Sequence, residues 1–316
     1  MSTIMPTTTE FDAGLVFSGK ASGVAITGFE SPTPYTPAID QSYLFTDIAR
    51  DLIVWLRMEK PEPLYIHGAS GTGKSSSIRQ IAARINLPVY ELTASERMEV
   101  SDLVGHYVLV NGQTEWVDGP LTMALRNGGI CLIDEVDTAN PAALIALNGV
   151  LDGTGLIIAE HGGELVSPHP LFRLACTGNS AGNGDSTGFY SGISQMNLAF
   201  MDRFMVLQAD YPTPEAETKL LTTKYPALPE NIAGTMVRFA GMVRKLFLRE
   251  DAQSEPCEIT ITTRSLIRWA DLTLRYEPLS SVGIVPLEYA ADRAFANRAS
   301  VPTKAMLHEL LQRVAN

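Results

Sequence analysis

The octapeptide Gly68-Ala69-Ser70-Gly71-Thr72-Gly73-Lys74-Ser75 fits the pattern G-x-x-x-x-G-K-[ST] without a mismatch. It constrains the fold because such a loop works only between a strand and a helix. An apolar run, Leu64-Tyr65-Ile66, stands before it, and Ser76, Ile78, Ile81, Ala82 and Ile85 follow at helical spacing. Glycines let the backbone wrap closely around phosphate, and consecutive N–H groups at a helix N-terminus supply positive potential. The sequence therefore predicts a phosphate cradle made of Gly68, Ala69, Ser70, Gly71, Thr72, Gly73, Lys74, Ser75 and Ser76. Lys74 is expected to reach the β- and γ-phosphates of ATP, and the Ser75 hydroxyl to ligate Mg²⁺. A second segment, Ile130-Cys131-Leu132-Ile133-Asp134-Glu135, is four apolar residues ending in two acids. It reads as a buried strand that delivers both carboxylates to its tip. Asp134 suits the Mg²⁺ shell, and Glu135 suits the base that orients an attacking water. Taken alone, the first motif could be a glycine-rich surface turn. The two in this order predict ATP binding and hydrolysis.

At 316 residues the chain has room for one large domain or two ordinary ones. An apolar fraction of 45% and a charged fraction of 19% are those of a globular protein in water. No apolar run approaches the eighteen or so residues of a membrane span. Met1-Ser2-Thr3-Ile4-Met5-Pro6 has neither a basic patch nor an apolar stretch, so nothing predicts export. Cys131 and Cys176 fall inside predicted core strands, and no C-x₂-C or neighbouring histidine pair points to zinc. These features fit a reducing cytoplasm. A net charge of −11 lacks the basic footprint of a nucleic-acid machine and favours a protein partner.

Residues 1 to about 40 are rich in Thr, Gly, Ser and Pro and read as a partly extended surface arm. Leu44, Phe45, Ile48, Ala49, Leu52, Ile53 and Leu56 predict an amphipathic helix. Strand-like runs at Leu64–His67, Val89–Leu92, Ile130–Ile133, Phe172–Thr177 and Phe204–Gln208 then alternate with helical runs at Ser75–Ile85, Leu121–Asn127 and Ala142–Leu151. That alternation predicts a parallel α/β sheet. An Asn111-Gly112 turn marks a β-hairpin over 107–117, and His161-Gly162-Gly163 a second over 156–166. After Tyr211-Pro212-Thr213-Pro214 every segment is helical: Ala216–Lys224, Ile232–Arg249, Ser265–Leu274, Leu287–Arg298 and Lys304–Val314. The expected division is an arm over 1–40, an α/β nucleotide-binding domain over 41–212 and an α-helical domain over 213–316.

Phe172-Arg173-Leu174-Ala175-Cys176-Thr177-Gly178-Asn179 is another apolar strand with a polar tip. In a sheet whose other tips carry the loop and Asp134-Glu135, Asn179 could hold the hydrolytic water, or simply cap a turn. Met201-Asp202-Arg203-Phe204 places an arginine before the last strand, where it could complete a phosphate site in trans or form a surface pair with Asp202. Arg173 reads as one half of a structural or inter-subunit ion pair. Asp185 lies in a long glycine-rich loop, and Trp116 reads as a packed hairpin residue.

The order of phosphate loop, hairpin, Gly119-Pro120-Leu121, Asp134-Glu135, hairpin, Thr177-Gly178-Asn179 and Asp202-Arg203-Phe204 resembles the AAA+ ATPases of the MoxR and dynein-related branch. Within that branch the chain is similar to the ATPase subunits of aerobic cobaltochelatases. The segments that carry this second likeness are Tyr35–Phe45, His169–Leu174, Gly184–Tyr190 and Gln195-Met196-Asn197, and the similarity runs from about residue 30 to 275. The resemblance implies an AAA+ P-loop parallel-sheet core with two β-hairpin inserts, followed by a small all-α lid domain. It implies that Asn179 is a first sensor, that Arg203 is an arginine finger acting on a neighbouring subunit, and that Arg264 is a second sensor on the lid. Without the resemblance, Arg264 is only an arginine at a helix start. It further implies a homo-oligomeric, hexameric ring that remodels a protein partner, commonly one with a von Willebrand A domain. In the narrower version, the chain supplies energy for inserting cobalt or magnesium into a tetrapyrrole. A nucleotide-gated structural ring and a nucleic-acid translocase are the readings from other classes, and intact Lys74, Asp134, Glu135 and Arg203 argue against the first.

Overall fold

The computed structural model describes residues 7–184, 192–193, 195–248 and 257–315. Asp185 and the rest of the chelatase-like stretch through Tyr190 lie outside the described residues. Contacts divide the chain into two units. The first comprises Met1–Gln41, Phe45–Ala69 and Gly73–Ala209; the second comprises Ser42–Leu44, Ser70–Thr72 and Asp210–Asn316.

The first unit is built on five parallel strands, numbered here along the chain: β1 (Leu64–His67), β2 (Val89–Thr93), β3 (Gly129–Asp134), β4 (Phe172–Gly178) and β5 (Met205–Gln208). Their order across the sheet is β5-β1-β4-β3-β2. Register aligns the carboxyl ends: Gly178 and Gln208 both pair with His67, Cys176 with Ile133, and Thr93 with Asp134. Side chains alternate between two apolar clusters, one on each face. Tyr65, Cys131, Ile133, Leu174 and Cys176 enter one, whereas Leu64, Ile66, Ile130, Leu132 and Ala175 enter the other. A sheet covered on both faces explains why these strands are unbroken apolar runs. Burial pushes the Cys131 thiol up to about 12, so it behaves as a small core side chain.

Three local features differ from expectation. The N-terminal stretch is more than a surface arm: Thr8–Asp12 pairs antiparallel with Ala25–Phe29, and a short helix, Ala13–Ser18, joins them. Ile26 and Phe29 are fully buried with Trp55, Ile78 and Ile85. The backbone comes so close there that a Cβ on Gly28 would sit 2.1 Å from the Ile85 carbonyl oxygen. Small residues hid this strand because they permit the approach without an apolar signal. The run expected as one helix over 142–151 is a 3₁₀ turn, Ala143–Leu147, followed by the short helix Asn148–Leu151. Both geometries bring Leu144 and Leu147 to one face, so spacing alone could not separate them. Among the described residues, Arg173 makes no ion pair. Its guanidinium, only 4% exposed, donates to the carbonyl oxygens of Pro170, Phe172, Leu56 and Met58 at 2.6–3.1 Å. Two of these carbonyls lie at the C-terminal end of the helix Ile48–Arg57, where a cation complements the helix dipole. Burial lowers its pKa to about 10.

The two inserts are a hairpin of Gly105–Val110 with Gln113–Asp118 and another of Leu156–Ile158 with Glu164–Val166. They are joined. Trp116 stacks on His161 with ring centroids 5.0 Å apart, and its Nε1 donates to Asp118 at 2.7 Å. Arg126, from the helix Pro120–Asn127, grips Glu164 through both terminal nitrogens and Asp118 through Nε.

The second unit is helical: Pro214–Lys224, Glu230–Leu248, Thr263–Arg275, Pro286–Ala294 and Val301–Ala315. Phe239, Trp269 and Phe295 pack edge to face or tilted at its centre. Beside them Arg244 and Glu217 form a buried two-bond pair at 2.7 and 2.9 Å, with Thr263 Oγ1 and the Ile261 carbonyl completing the network. Removing one partner strands the other charge. Glu217→Ala is therefore expected to destabilise this unit by about 3–5 kcal/mol, measured by denaturant unfolding. The paired replacement Glu217→Leu with Arg244→Met should cost less, and an equal loss would refute the stranded-charge account. Among the described residues, no helix is long and apolar enough to cross a membrane.

Candidate nucleotide site

The site grows from the ends of β1, β3 and β4. After His67 the chain needs a conformation that side chains resist: Gly68 has φ +151°, and a Cβ there would meet the Ala209 carbonyl oxygen at 2.1 Å. Gly73, at φ +95°, then starts the helix Lys74–Arg84. Lys74 is only 8% exposed. Its Nζ donates to the carbonyl oxygens of Gly68 at 2.8 Å and Ala69 at 3.1 Å, and to Asn179 Oδ1 at 3.1 Å. Burial lowers its pKa, while the charges of Asp134, Asp137 and Glu135 act in the opposite direction.

Asp134, at the tip of β3, gathers hydroxyls. Its Oδ1 accepts from Ser75 Oγ at 2.5 Å and from Thr177 Oγ1, and Arg79 stands 3.8 Å from its other oxygen. Thr177 Oγ1 also accepts the backbone N–H of Glu135 at 3.2 Å, tying the ends of β3 and β4 together. Glu135 occupies the left-handed region, φ 56° and ψ 39°, an unusual conformation for a residue with a side chain. This backbone turn leaves Glu135 exposed at the strand tip.

Two hydrogen-bonded sets, Lys74 with Asn179 and Asp134 with Ser75 and Thr177, thus meet at the strand tips, with Glu135 beside them. Arg203 bonds elsewhere: its Nε donates to Asp152 at 2.7 Å and one terminal nitrogen to the Ala199 carbonyl at 2.6 Å. The pairing with Asp202 considered from sequence is replaced by one with Asp152. Arg264 is exposed on the first turn of Thr263–Arg275 in the second unit. Ser70, Gly71 and Thr72 group with the second unit, and Ser76 Oγ donates to the Gly73 carbonyl at 3.1 Å.

Sequence reasoning missed Asp137, Tyr65 and the Asp134 contact of Thr177. Asp137 is 1% exposed and accepts the backbone N–H groups of Asn179 at 2.7 Å and Ser180 at 3.1 Å. Tyr65 donates to the Ser180 carbonyl at 2.6 Å. The available signal was the third acid in Asp134-Glu135-Val136-Asp137, which in isolation reads as an ordinary solvated turn.

Residues 63–204 match the family model of the AAA domain (dynein-related subfamily), and residues 217–314 that of the CbbQ/NirQ/NorQ C-terminal region. The aerobic cobaltochelatase subunit CobS of a Sinorhizobium species is 29% identical over 262 residues, 80% of this chain and 77% of its own. The denitrification regulatory protein NirQ of Stutzerimonas stutzeri is 30% identical over 224 residues, 69% of this chain and 78% of its own. Among solved structures, a mutant of Thermotoga maritima RuvB aligns with TM-score 0.51 at 13% identity, over 86% of this chain and 70% of that one, a likeness of fold alone. A parallel sheet carrying a phosphate loop on β1 and Asp-Glu on β3, with both family models matched in succession, leads to one conclusion: the chain belongs to the MoxR-like, dynein-related AAA ATPases, alongside CbbQ, NirQ and NorQ, and is an ATP hydrolase.

Proposed function

We propose that this ATPase works as a hexameric ring in the cytoplasm, with nucleotide held where subunits meet, and that turnover remodels or activates a protein partner. The observation that best supports it is the meeting of Lys74, Ser75, Asp134, Thr177 and Asn179 at the carboxyl ends of the central strands, while Arg203 pairs with Asp152 instead. The arginine beside this cluster, Arg79, is paired with Glu91 and Asp134, so a further guanidinium is needed to stabilise transition-state charge. A neighbouring subunit's Arg203 would supply it. Arg264 on the helical unit would be a second contact to the γ-phosphate.

In this reading the N–H groups of Gly71 to Ser76 and the Lys74 ammonium take the phosphates, Lys74 exchanging its loop carbonyl partners for phosphate oxygens. Ser75 Oγ and Asp134 form an all-oxygen donor set that suits Mg²⁺, which when bound would neutralise charge on the β- and γ-phosphates. Glu135 accepts a proton from water as its oxygen bonds to the γ-phosphorus. The bond to the β-bridging oxygen breaks, and Asn179 orients the water. ADP and phosphate leave.

One relative is a subunit of an aerobic cobaltochelatase and another a denitrification regulatory protein; a chain that acts on a protein partner fits both descriptions. The joined hairpins are the proposed partner-facing elements, and a von Willebrand A domain is the proposed partner. Insertion of a metal into a tetrapyrrole is the narrower reading, and that chemistry would belong to other subunits.

Lys74→Ala is expected to weaken ATP binding about 10- to 150-fold, the worth of hydrogen bonds to a charged group. Calorimetric titration reads this, and unchanged affinity refutes the cradle. Specific activity of the parent chain should rise steeply with protein concentration as rings form. A concentration-independent rate from a monomer overturns the ring.

A further inference from the structure

We infer that Asp137 is a positioning residue for hydrolysis: one buried carboxylate fixes the turn that presents Asn179 to Lys74 and the γ-phosphate. Asp137 sits in the 3₁₀ turn Val136–Thr138, immediately after Glu135. Its Oδ2 accepts from Asn179 N at 2.7 Å, Ser180 N at 3.1 Å and Ser180 Oγ at 3.4 Å. Two consecutive N–H groups converging on one oxygen define the direction in which the chain leaves β4. From the other side, Tyr65 Oη donates to the Ser180 carbonyl at 2.6 Å, so the residue after Asn179 is held at both its N–H and its C=O. The space between is full: a Cβ on Gly178 would lie 2.0 Å from Tyr65 Oη and 3.0 Å from Asp137 Oδ2.

Burial makes this arrangement expensive. Asp137 is 1% exposed, and its second oxygen, Oδ1, has no hydrogen-bond partner. No basic side chain pairs with it among the described residues. Buried polar groups are almost always satisfied, so a half-satisfied carboxylate points to a task other than stability. Its place in the chain indicates the task. The turn that carries Asp137 begins at Glu135, so a rigid link of two residues connects the proposed base to the clamp on the proposed sensor. Thr177 makes a second link between the same two tips by accepting Glu135 N. The relative placement of Glu135 and Asn179, which must flank one water, is thereby set by Asp137 and Thr177 together. Sub-ångström placement matters because a misplacement of about 1 Å can lower a rate roughly 10²-fold.

The inference rests on Asn179 acting in hydrolysis, and one set of variants separates its failure from the failure of that reading. Turnover and ATP affinity are measured on the full chain for Asp137→Ala, Asp137→Asn, Asn179→Ala and the double variant Asp137→Ala with Asn179→Ala. Asp137→Ala is expected to lower kcat about 10- to 100-fold, with ATP affinity within about threefold of the parent. Asp137→Asn keeps an oxygen for the two N–H groups and should recover most of the rate. The double variant should be no worse than Asn179→Ala, because both act through one side chain. An unchanged rate in Asn179→Ala would remove the sensor role itself. A normal rate in Asp137→Ala beside a slow Asn179→Ala would overturn the positioning role alone. So would an Asp137→Asn variant as slow as the alanine, additive losses in the double variant, or parallel loss of ATP affinity and melting temperature.

Discussion

Arg203→Ala is expected to bind ATP as the parent chain does yet hydrolyse it roughly 10³- to 10⁵-fold more slowly, the range by which an arginine finger accelerates phosphoryl transfer. The bond from Arg203 to Asp152 supplies the control. That pair is half exposed, and such pairs contribute about 0–1 kcal/mol, too little for its loss to unfold the chain. Asp152→Ala removes the in-chain carboxylate and keeps the guanidinium and its bond to the Ala199 carbonyl, so its rate should stay within a few-fold of the parent. If Asp152→Ala is as slow as Arg203→Ala, the arginine is structural. Mixing supplies the positive test. Arg203→Ala subunits combined with Lys74→Ala subunits should regain activity, because an intact Lys74 site can then face an intact Arg203. Co-assembled rings that stay inactive would exclude action in trans.

Glu135→Gln should bind ATP but turn it over about 10²- to 10⁴-fold more slowly, the contribution of a positioned general base. The left-handed backbone at Glu135 makes glutamine the informative replacement. The amide matches the acid in shape and in its tolerance of φ 56°, so the turn into Asp137 should be unaffected. A β-branched residue there would add backbone strain and confuse the reading. Steady-state phosphate release measures the loss. Retained turnover would move the base to another residue.

Much of this architecture was legible in the sequence because its elements are contiguous and chemically restrictive. A glycine-lysine-serine loop tolerates few alternatives. Strands buried on both faces announce themselves as apolar runs, as Leu64–Ile66 and Ile130–Ile133 do. Asn111-Gly112 marks a hairpin because few other dipeptides accept its backbone. What stayed hidden depends on partners distant in sequence. Asp137 looks like a solvated turn acid until β4 brings Asn179 and Ser180 against it, 42 and 43 residues later. Arg173 suggests a missing acid, yet its partners are carbonyl oxygens, which every residue carries and no sequence pattern marks. Ile26 and Phe29 are core residues in a stretch whose composition resembles a linker. Clusters assembled by topology leave no local periodicity.

The anchoring of Arg173 has a mechanical consequence for the other end of its strand. Four carbonyl bonds hold a charged group inside the protein near the start of β4, six residues before Asn179. Sliding β4 along its neighbours would break the two bonds that leave the segment, to the Leu56 and Met58 carbonyls, and strand a buried cation. The strand is a fixed rail. Any travel of Asn179 during turnover must be hinge-like, confined to the few bonds beyond Gly178, and its amplitude is limited to what one turn can flex.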